Sequence, residues 1–97
     1  MWYTYILTCS DDSYYVGHAN NLEARLARHN AGRGCKWTAC RLPVRLAYAE
    51  SHETEEQALS REMQIKRWSR AKKEALIQRD TSLLRQLAKR KANRSSA

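Results

Sequence analysis

The 97-residue sequence has no phenylalanine, no long apolar run and no paired set of cysteines. No segment approaches the roughly 20 apolar residues that a membrane-spanning helix needs, so we expect neither a membrane span nor a membrane partner. The apolar start at residues 2–7 is short, lacks a basic flank and is soon followed by two aspartates, unlike a secretory signal. These absences predict a cytoplasmic protein.

The three cysteines, Cys9, Cys35 and Cys40, are odd in number and include no C-x-x-C pair. A disulfide framework and a four-ligand zinc site both need a regular set of cysteine or histidine ligands. We therefore expect neither kind of structure in this chain.

The aromatic residues are instead three tryptophans and five tyrosines, whose polar groups need partners when they are buried. Hydrophobic residues make up 42% of the chain, which is typical of a folded protein, and the length suits one domain. We expect a single domain over residues 1–90 and a disordered tail over residues 91–97.

Positive charge is concentrated in the C-terminal part of the chain. Residues 1–60 hold 6 Lys and Arg against 7 Asp and Glu, whereas residues 61–97 hold 12 against 3. A net charge of +8 with this distribution favours a polyanionic partner, nucleic acid before membrane, over a surface that is basic only for solubility.

A hairpin and a helix are predicted first. The run W-Y-T-Y-I-L-T reads as a strand, and the turn residues C-S-D-D-S separate it from a second strand, Y-Y-V-G. If the register pairs Tyr5 with Tyr15 or with its neighbours, side-chain alternation puts both hydroxyls on one face. Two asparagines before Leu22 can cap a helix to about residue 30, which the glycines of A-G-R-G would end.

A basic loop over residues 32–42 leads into a third strand. Val44, Leu46 and Tyr48 alternate with other residues there, as in a half-buried strand. The sequence T-E-E-Q from Thr54 matches a capping box.

This box predicts a helix that ends at about Trp68. Two further helices are predicted over residues 72–79 and 83–90. The resulting order of elements is β-β-α-β-α-α, with an extra helix at the C-terminus.

A carboxylate lies in the predicted apolar stripe of the helix that follows Thr54. The stripe consists of Ala58, Leu59, Met63 and Ile65. Glu62 falls near its middle, where a carboxylate costs free energy unless it has a partner. One interpretation is a structural ion pair with Lys66, one turn later. The other is a ligand for a hard divalent cation such as Mg²⁺.

Arg25 and His29 raise the same question on the first helix, since either could reach water from the margin of the core. Together with Tyr5, Tyr15 and Glu62 they form a set of five polar groups on predicted inward faces. Arginine and a metal held by a carboxylate stabilise charge on a phosphate, and tyrosine or histidine can orient or deprotonate water. One cluster of all five would meet the requirements of phosphodiester cleavage.

The pattern T-Y-I-L-x(7)-Y-V-G-x(7)-R-L-x-x-H resembles the N-terminal motif block of GIY-YIG nucleases. Tyr5 ends the first triplet and Tyr15 begins the second, while Arg25 and His29 match the arginine and histidine of the family's helix. Glu62 matches the glutamate that binds the metal. The resemblance covers residues 2 to about 78 and is closest to small, stand-alone bacterial members.

The resemblance implies an α+β fold, in which helices flank a three-stranded antiparallel sheet. It also implies DNA phosphodiester hydrolysis with one Mg²⁺ or Mn²⁺ ion.

Each residue that matches the motif takes an implied role from the family. Tyr5 would act as general base or position the attacking water, and Tyr15 would contact the phosphate or the nucleophile. Arg25 would stabilise the transition state, and Glu62 would hold the metal ion. His29 would assist proton transfer or bind phosphate.

The sequence departs from the family at Tyr3 and Thr4, which replace Gly and Ile of the first triplet. Gly17 either allows close backbone approach beside Tyr15 or is an ordinary strand end. We see no second DNA-binding domain, so specificity is expected to come from this domain or from a protein partner.

Several basic side chains are candidate contacts to the DNA backbone. They are Lys36, Arg41, Lys66, Lys72 and Lys73. Trp37 lies among them, and it suits either stacking on an unpaired base or filling the core beneath the loop.

The sequence thus predicts a metal-dependent endonuclease that is structure-selective or weakly sequence-specific. A binding module that keeps the fold without catalysis is the alternative. A basic RNA-binding protein would explain the charge but not the five-residue set. The oligomeric state, and a cellular role in DNA repair, recombination or defence, stay open.

Overall fold

The computed structural model of the protein describes residues 1–78. The chain divides into two compact units, the first covering Met1–Lys66 and the second beginning at Arg67. The predictions for residues 83–90 and 91–97 lie outside the described residues. Within residues 1–78, no helix has the length and apolar character needed to cross a membrane.

The first unit contains three strands and three helices. The strands are β1 (Trp2–Thr8), β2 (Tyr14–Ala19) and β3 (Arg45–His52), and the helices are α1 (Leu22–Asn30), α2 (Lys36–Ala39) and α3 (Glu55–Lys66). The second unit begins with α4 (Arg70–Ile77). This is the predicted order of elements apart from α2, a single turn within the segment that was predicted to be a loop.

The three strands form one antiparallel sheet in the order β2-β1-β3. Thr4, Tyr5, Ile6 and Leu7 are all buried, so the central strand is covered on both faces. An α+β fold with a three-stranded antiparallel sheet is therefore confirmed.

The hairpin register places the two motif tyrosines on one face of the sheet. Tyr5 pairs with Gly17 and Leu7 pairs with Tyr15. Tyr5 and Tyr15 are thus diagonal neighbours on adjacent strands, close enough for aromatic side chains to interact. Their predicted arrangement is confirmed.

Helices cover the two faces of the sheet separately. Tyr5 and Leu7 pack with Leu22 and Leu26 of α1. On the opposite face, the Thr4 hydroxyl donates a 2.8 Å hydrogen bond to a carbonyl of α3. The site residues on α1 and those on α3 therefore lie on opposite faces of the sheet. They can contact each other only around an edge of the sheet.

Local sequence signals set the ends of α1 and α3. The Asn21 side chain accepts a hydrogen bond from the third residue of α1, and Gly32 follows that helix with a φ of 78°. Thr54 and Gln57 exchange the reciprocal hydrogen bonds of a capping box. Both predicted helix starts are confirmed.

The predicted alternation along β3 is wrong because the strand contains an irregularity. Ile6 pairs with Tyr48 but the next residue, Leu7, pairs with Leu46, so Ala47 is skipped. A bulge of this kind moves the following side chains to the other face of a strand. Leu46 and Tyr48 therefore lie on opposite faces, and Leu46 is 43% exposed.

The predicted apolar stripe of α3 is also partly wrong. Ala58, Glu62 and Ile65 are buried, whereas Leu59 and Met63 are 41% and 52% exposed. The buried face is narrow because it packs on a small three-stranded sheet. Glu62 thus lies within the inward face of α3, as expected.

Candidate active site

The Tyr5 hydroxyl lies directly over Gly17 on the edge strand β2. A Cβ atom added to Gly17 would stand 2.6 Å from the hydroxyl oxygen of Tyr5, closer than real Cβ atoms approach other atoms. The missing side chain of Gly17 therefore gives the tyrosine its space. Of the two interpretations of Gly17, close approach is the one that the contacts support, although the partner is Tyr5 as well as Tyr15.

Tyr5 is joined to His29 and Thr38 by a line of buried hydrogen bonds. Tyr5 Oη lies 3.2 Å from His29 Nε2, and His29 Nδ1 lies 2.8 Å from Thr38 Oγ1. The Thr38 hydroxyl donates to the carbonyl of Cys35, so it accepts from His29 Nδ1–H. This pattern leaves Nε2 without a proton, and the Tyr5 hydroxyl donates to it.

The surroundings of His29 keep the imidazole neutral. Burial lowers the pKa of His29, and the positive charges of Arg25 and Arg28 lower it further. Gly34 packs against the ring, since an added Cβ there would stand 2.1 Å from Nδ1. His29 is thus held in one orientation as a proton acceptor.

The charges of Arg25 and Glu62 both act on the Tyr5 phenol. Burial raises the pKa of Tyr5, the adjacent Arg25 lowers it by charge and hydrogen bonding, and the Glu62 carboxylate raises it. Tyr5 therefore carries its proton at neutral pH. Both side chains act on the same hydroxyl although α1 and α3 cover opposite faces of the sheet.

Arg25 and Glu62 meet at His18, which follows Gly17 in the edge strand. Arg25 Nη1 donates to the backbone carbonyl of His18 at 3.4 Å. His18 Nδ1–H donates to Glu62 Oε1 at 2.6 Å. The edge of β2 is therefore the place where the residues of the two faces come together.

Glu62 has a second partner in Lys66. The Lys66 ammonium lies 2.7 Å from Glu62 Oε2, which is the i, i+4 ion pair expected from the spacing. Glu62 is 8% exposed as a residue, so these two contacts offset the free-energy cost of burying its carboxylate.

Tyr15 stands beside the hydrogen-bonded line and contacts the α2 segment. Its ring centroid lies 5.2 Å from that of His29 and 6.0 Å from that of Trp37. Burial raises the pKa of Tyr15, and so does the nearby Cys35. Tyr5, Tyr15, Arg25 and His29 thus form one cluster with Glu62 at its edge.

Three of the five basic candidates lie in the first unit, and two of these three have internal partners. Arg41 forms an ion pair with Asp11 at 3.2 Å and stacks its guanidinium 4.0 Å from the ring centre of Trp37. Lys66 pairs with Glu62, whereas Lys36 is exposed on α2. Trp37 is 39% exposed, so it does not fill the core.

The remaining two basic candidates lie on α4 in the second unit. The Lys72 ammonium stands 4.4 Å from the ring centre of Trp68. Burial lowers the pKa of Lys73, and the charge of Arg70 adds to the effect.

A metal ion at this site would depend largely on Glu62. Among the described side chains, no group of three or more His, Cys, Asp and Glu is arranged to hold a metal. A single carboxylate with water molecules suits Mg²⁺, which usually keeps several waters in protein sites. The carboxylate at the β2 edge fits that donor set.

Sequence reasoning missed His18, Gly34 and Thr38. Gly34 and Thr38 lie in the segment that was predicted to be a loop, where no periodicity indicates which side chains point inward. His18 carried a usable signal, because alternation from Tyr15 along β2 places it on the opposite face, which α3 covers.

Comparison with known proteins identifies the family of this chain. The family model of the GIY-YIG catalytic domain matches residues 1–75. The chain belongs to the GIY-YIG family.

Relatives of similar size are found in archaea and bacteria. A UPF0213 protein of Halobacterium salinarum is 46% identical over 77 residues, covering 79% of this chain and 100% of that protein. One from Staphylococcus aureus is 48% identical over 75 residues, covering 77% and 92%. The solution NMR structure of a UPF0213 protein from Bacillus halodurans matches with a TM-score of 0.52 and 38% identity, covering 80% and 84%.

Proposed function

We propose that the protein is a cytoplasmic, metal-dependent endonuclease that hydrolyses DNA phosphodiesters, with selectivity for DNA structure or a weak sequence preference. The observation that carries the proposal is the hydrogen bond from the Tyr5 hydroxyl to a neutral, buried His29, with Arg25 interacting with the same hydroxyl and the Glu62 carboxylate acting on it by charge. This combination supplies a proton acceptor, a cation and a carboxylate to one region of the fold. Family membership supports a nuclease with a nucleic-acid substrate.

Proton transfer in this proposal runs from water to Tyr5 and from Tyr5 to His29. Since the pKa of Tyr5 is raised by burial, the phenol cannot act as a free phenolate at neutral pH. It takes a proton from the attacking water as it gives its own to His29 Nε2. The water oxygen bonds to phosphorus and the bond to the leaving oxygen breaks, with a proton from solvent completing the leaving group.

Access to Tyr5 defines where the phosphate must lie. Tyr5 is only 1% exposed, and its hydroxyl is covered on one side by Gly17. A phosphate that approaches along the edge of β2 would meet this backbone without obstruction by a side chain at Gly17. Arg25, which bonds the next carbonyl in the strand, would then neutralise charge that develops on the phosphate.

Glu62 would hold one divalent ion, Mg²⁺ or Mn²⁺, which supplies Lewis-acid stabilisation of the phosphate when bound. Lys66 is half exposed and can move from the carboxylate to the DNA backbone without crossing the core. Lys36 and Arg41 are the further backbone contacts that we propose in the first unit, and Lys72 and Lys73 are those in the second. A protein partner for targeting is compatible with the small size of the chain, and DNA repair is one role that suits such an enzyme.

Cleavage of labelled duplex, single-stranded and branched DNA with Mg²⁺, Mn²⁺ or EDTA tests the proposal. Wild type is expected to cut at least one substrate only when the metal is present. Arg25→Ala is expected to lose about 10²-fold or more in cleavage rate, as expected when a group that stabilises transition-state charge is removed. Equal cutting by Arg25→Ala and wild type would contradict the assignment of the site.

A second candidate is a nucleic-acid-binding module without catalysis. The observation that favours it is the complete pairing of Glu62 by His18 and Lys66, which satisfies the carboxylate with no metal. Binding to all three DNA forms with no cleavage in either metal would support this alternative.

A further inference from the structure

We propose that His18 is a second protein ligand of the divalent ion at Glu62, so that the site binds Mn²⁺ and Co²⁺ more tightly than Mg²⁺. The inference rests on the proposed function, because it concerns the same metal site. It adds a residue that lies outside the triplets, the helix arginine and histidine, and the glutamate that carry the family resemblance.

The two side chains point at each other from different rigid elements. His18 Nδ1, on β2, lies 2.6 Å from Glu62 Oε1, on α3. Two ligands at about 2.1 Å from one ion and at right angles are about 3 Å apart. If His18 Nδ1 and Glu62 Oε1 moved apart by a few tenths of an ångström, an ion could therefore take the place of the proton between them.

The other nitrogen of the same ring has the partner that a metal-bound histidine usually has. His18 Nε2 lies 3.5 Å from Glu55 Oε2, which is within ion-pair distance. Histidine ligands commonly donate their second ring N–H to a carboxylate, which fixes the ring orientation and the tautomer. If an ion replaced the Nδ1 proton that now bridges to Glu62, the remaining ring proton would be on Nε2, directed to Glu55, and the Nδ1 lone pair would face the ion.

The backbone of His18 is also held in place, since its carbonyl accepts a hydrogen bond from Arg25. The ligand, the phosphate-neutralising arginine and the carboxylate are thus joined through one residue of the edge strand. Lys66 is the more exposed partner of Glu62, since its side chain is 50% exposed compared with 23% for His18. An arriving cation would displace Lys66 by charge repulsion and retain His18.

An imidazole ligand has a consequence for metal choice. Oxygen-only sites suit Mg²⁺, whereas nitrogen ligands strengthen binding along the series from Mn²⁺ to Co²⁺. We therefore expect affinity in the order Co²⁺, Mn²⁺, Mg²⁺, with the difference between ions set by His18.

His52 provides a matched control. Its Nε2 lies 2.8 Å from Glu50 Oε2, and its side chain is 21% exposed, so it too is a half-buried histidine beside a carboxylate. Glu50 also accepts hydrogen bonds from Tyr48 and Arg61, so its oxygens are already engaged by several donors. His52→Gln should leave metal binding unchanged.

The test is Mn²⁺ binding to the full chain, followed by the EPR signal of free Mn²⁺, with Mg²⁺ affinity measured by competition. His18→Gln is expected to weaken Mn²⁺ binding by at least the roughly 10- to 100-fold that loss of a metal site's outer-shell partner costs, with little change for Mg²⁺. Glu62→Gln should lose both ions. Pulsed EPR of bound Mn²⁺ should show coupling to a histidine nitrogen in wild type and in His52→Gln, but not in His18→Gln.

The nitrogen coupling in wild type does not depend on how well any variant folds. Three results would each overturn the role of His18: no nitrogen coupling in bound Mn²⁺, equal Mn²⁺ affinity in His18→Gln and wild type, or no binding of Mn²⁺ by wild type. DNA cleavage with Mg²⁺, measured in the same preparations, shows separately whether the proposed nuclease function holds. Mn²⁺ bound through His18 without cleavage of any DNA would contradict the nuclease proposal and leave the ligand assignment standing.

Discussion

At the scale of single residues, the direction of one proton's movement depends on Thr38. Its hydroxyl donates to the Cys35 carbonyl, so it must accept from His29, which leaves the far nitrogen of His29 open to Tyr5. A threonine in a short loop helix thus sets the tautomer of a buried histidine. Our proposal makes Thr38 a positioning residue that acts through His29.

Thr38→Val keeps the side-chain shape but removes the acceptor for His29 Nδ1–H. We expect a loss of about 1–3 kcal/mol in the free energy of unfolding, because a buried donor is left unpaired, together with a lower cleavage rate. Thr4→Val is the control, since it also removes a buried threonine hydrogen bond, to α3, far along the chain from α2. Urea unfolding should show similar destabilisation in both variants, whereas single-turnover cleavage should be slower only in Thr38→Val. Equal cleavage rates in Thr38→Val and Thr4→Val would argue against the positioning role.

The lowered pKa of His29 makes stability depend on pH in a defined direction. The unfolded chain takes up this proton near pH 6.5, whereas the folded protein takes it up at lower pH because of burial, Arg25 and Arg28. The stabilisation is therefore complete above about pH 6.5 and is lost as the pH falls through the folded pKa.

Urea unfolding at pH 7 and pH 5 measures this loss. Wild type is expected to lose more unfolding free energy between these values than His29→Gln, which has no proton to bind in this range. The lowered pKa of the Glu50 carboxyl contributes only at more acidic pH, since its ordinary value is 4.5. Identical losses in the two proteins would contradict a buried, neutral His29.

At the scale of elements, the site depends on the edge strand β2. Helix α1 brings Arg25 and His29 to one face of the sheet, and α3 brings Glu62 to the other. Because β2 is an edge strand, the side chains of both faces can meet around it. A central strand would have kept the two groups apart.

The cap of α1 is where this arrangement is easiest to weaken from outside the site. Asn21→Ala removes the side-chain acceptor of the first turn, which costs roughly 1 kcal/mol of helix stability. We expect a lower melting temperature with cleavage at low temperature close to that of wild type. Glu23→Gln, on the same exposed turn, is the control. If Asn21→Ala melts at the same temperature as wild type and Glu23→Gln, the cap is not needed for stability.

Much of the secondary structure could be predicted from the sequence. The hairpin, the asparagine cap and the capping box each rest on local rules, and each was found where the sequence indicated. The bulge at Ala47 and the exposure of Leu59 and Met63 could not be predicted in this way, since they depend on how β3 and α3 fit against neighbours. For the same reason the contact between His18 and Glu62 emerged only from the fold.

At the scale of the whole molecule, charge is distributed unevenly along the chain. The whole excess of Lys and Arg over Asp and Glu lies beyond residue 60, whereas the clustered tyrosines, arginine and histidine lie before it. The proposal assigns chemistry to the first unit and much of the general attraction for DNA to basic side chains elsewhere.

DNA affinity should therefore fall as salt concentration rises, with a slope of about −0.9 in log–log form for each phosphate contact on a duplex. Lys72→Gln combined with Lys73→Gln is expected to make the slope shallower by up to about two contacts, whereas Glu56→Gln should not. Equilibrium binding across a salt series provides the comparison. An affinity that does not change with salt would contradict a phosphate-backbone mode of binding.

The proposed function depends most on Glu62, as the residue that holds a metal ion for phosphodiester cleavage. Its most direct test is Glu62→Gln, with single-turnover cleavage and binding measured on the same DNA with Mg²⁺. We expect cleavage to fall by about 10²-fold or more, because charge stabilisation at the phosphate is lost, while DNA binding stays within a few-fold. Cleavage at the wild-type rate would show that Glu62 serves only as the ion-pair partner of His18 and Lys66.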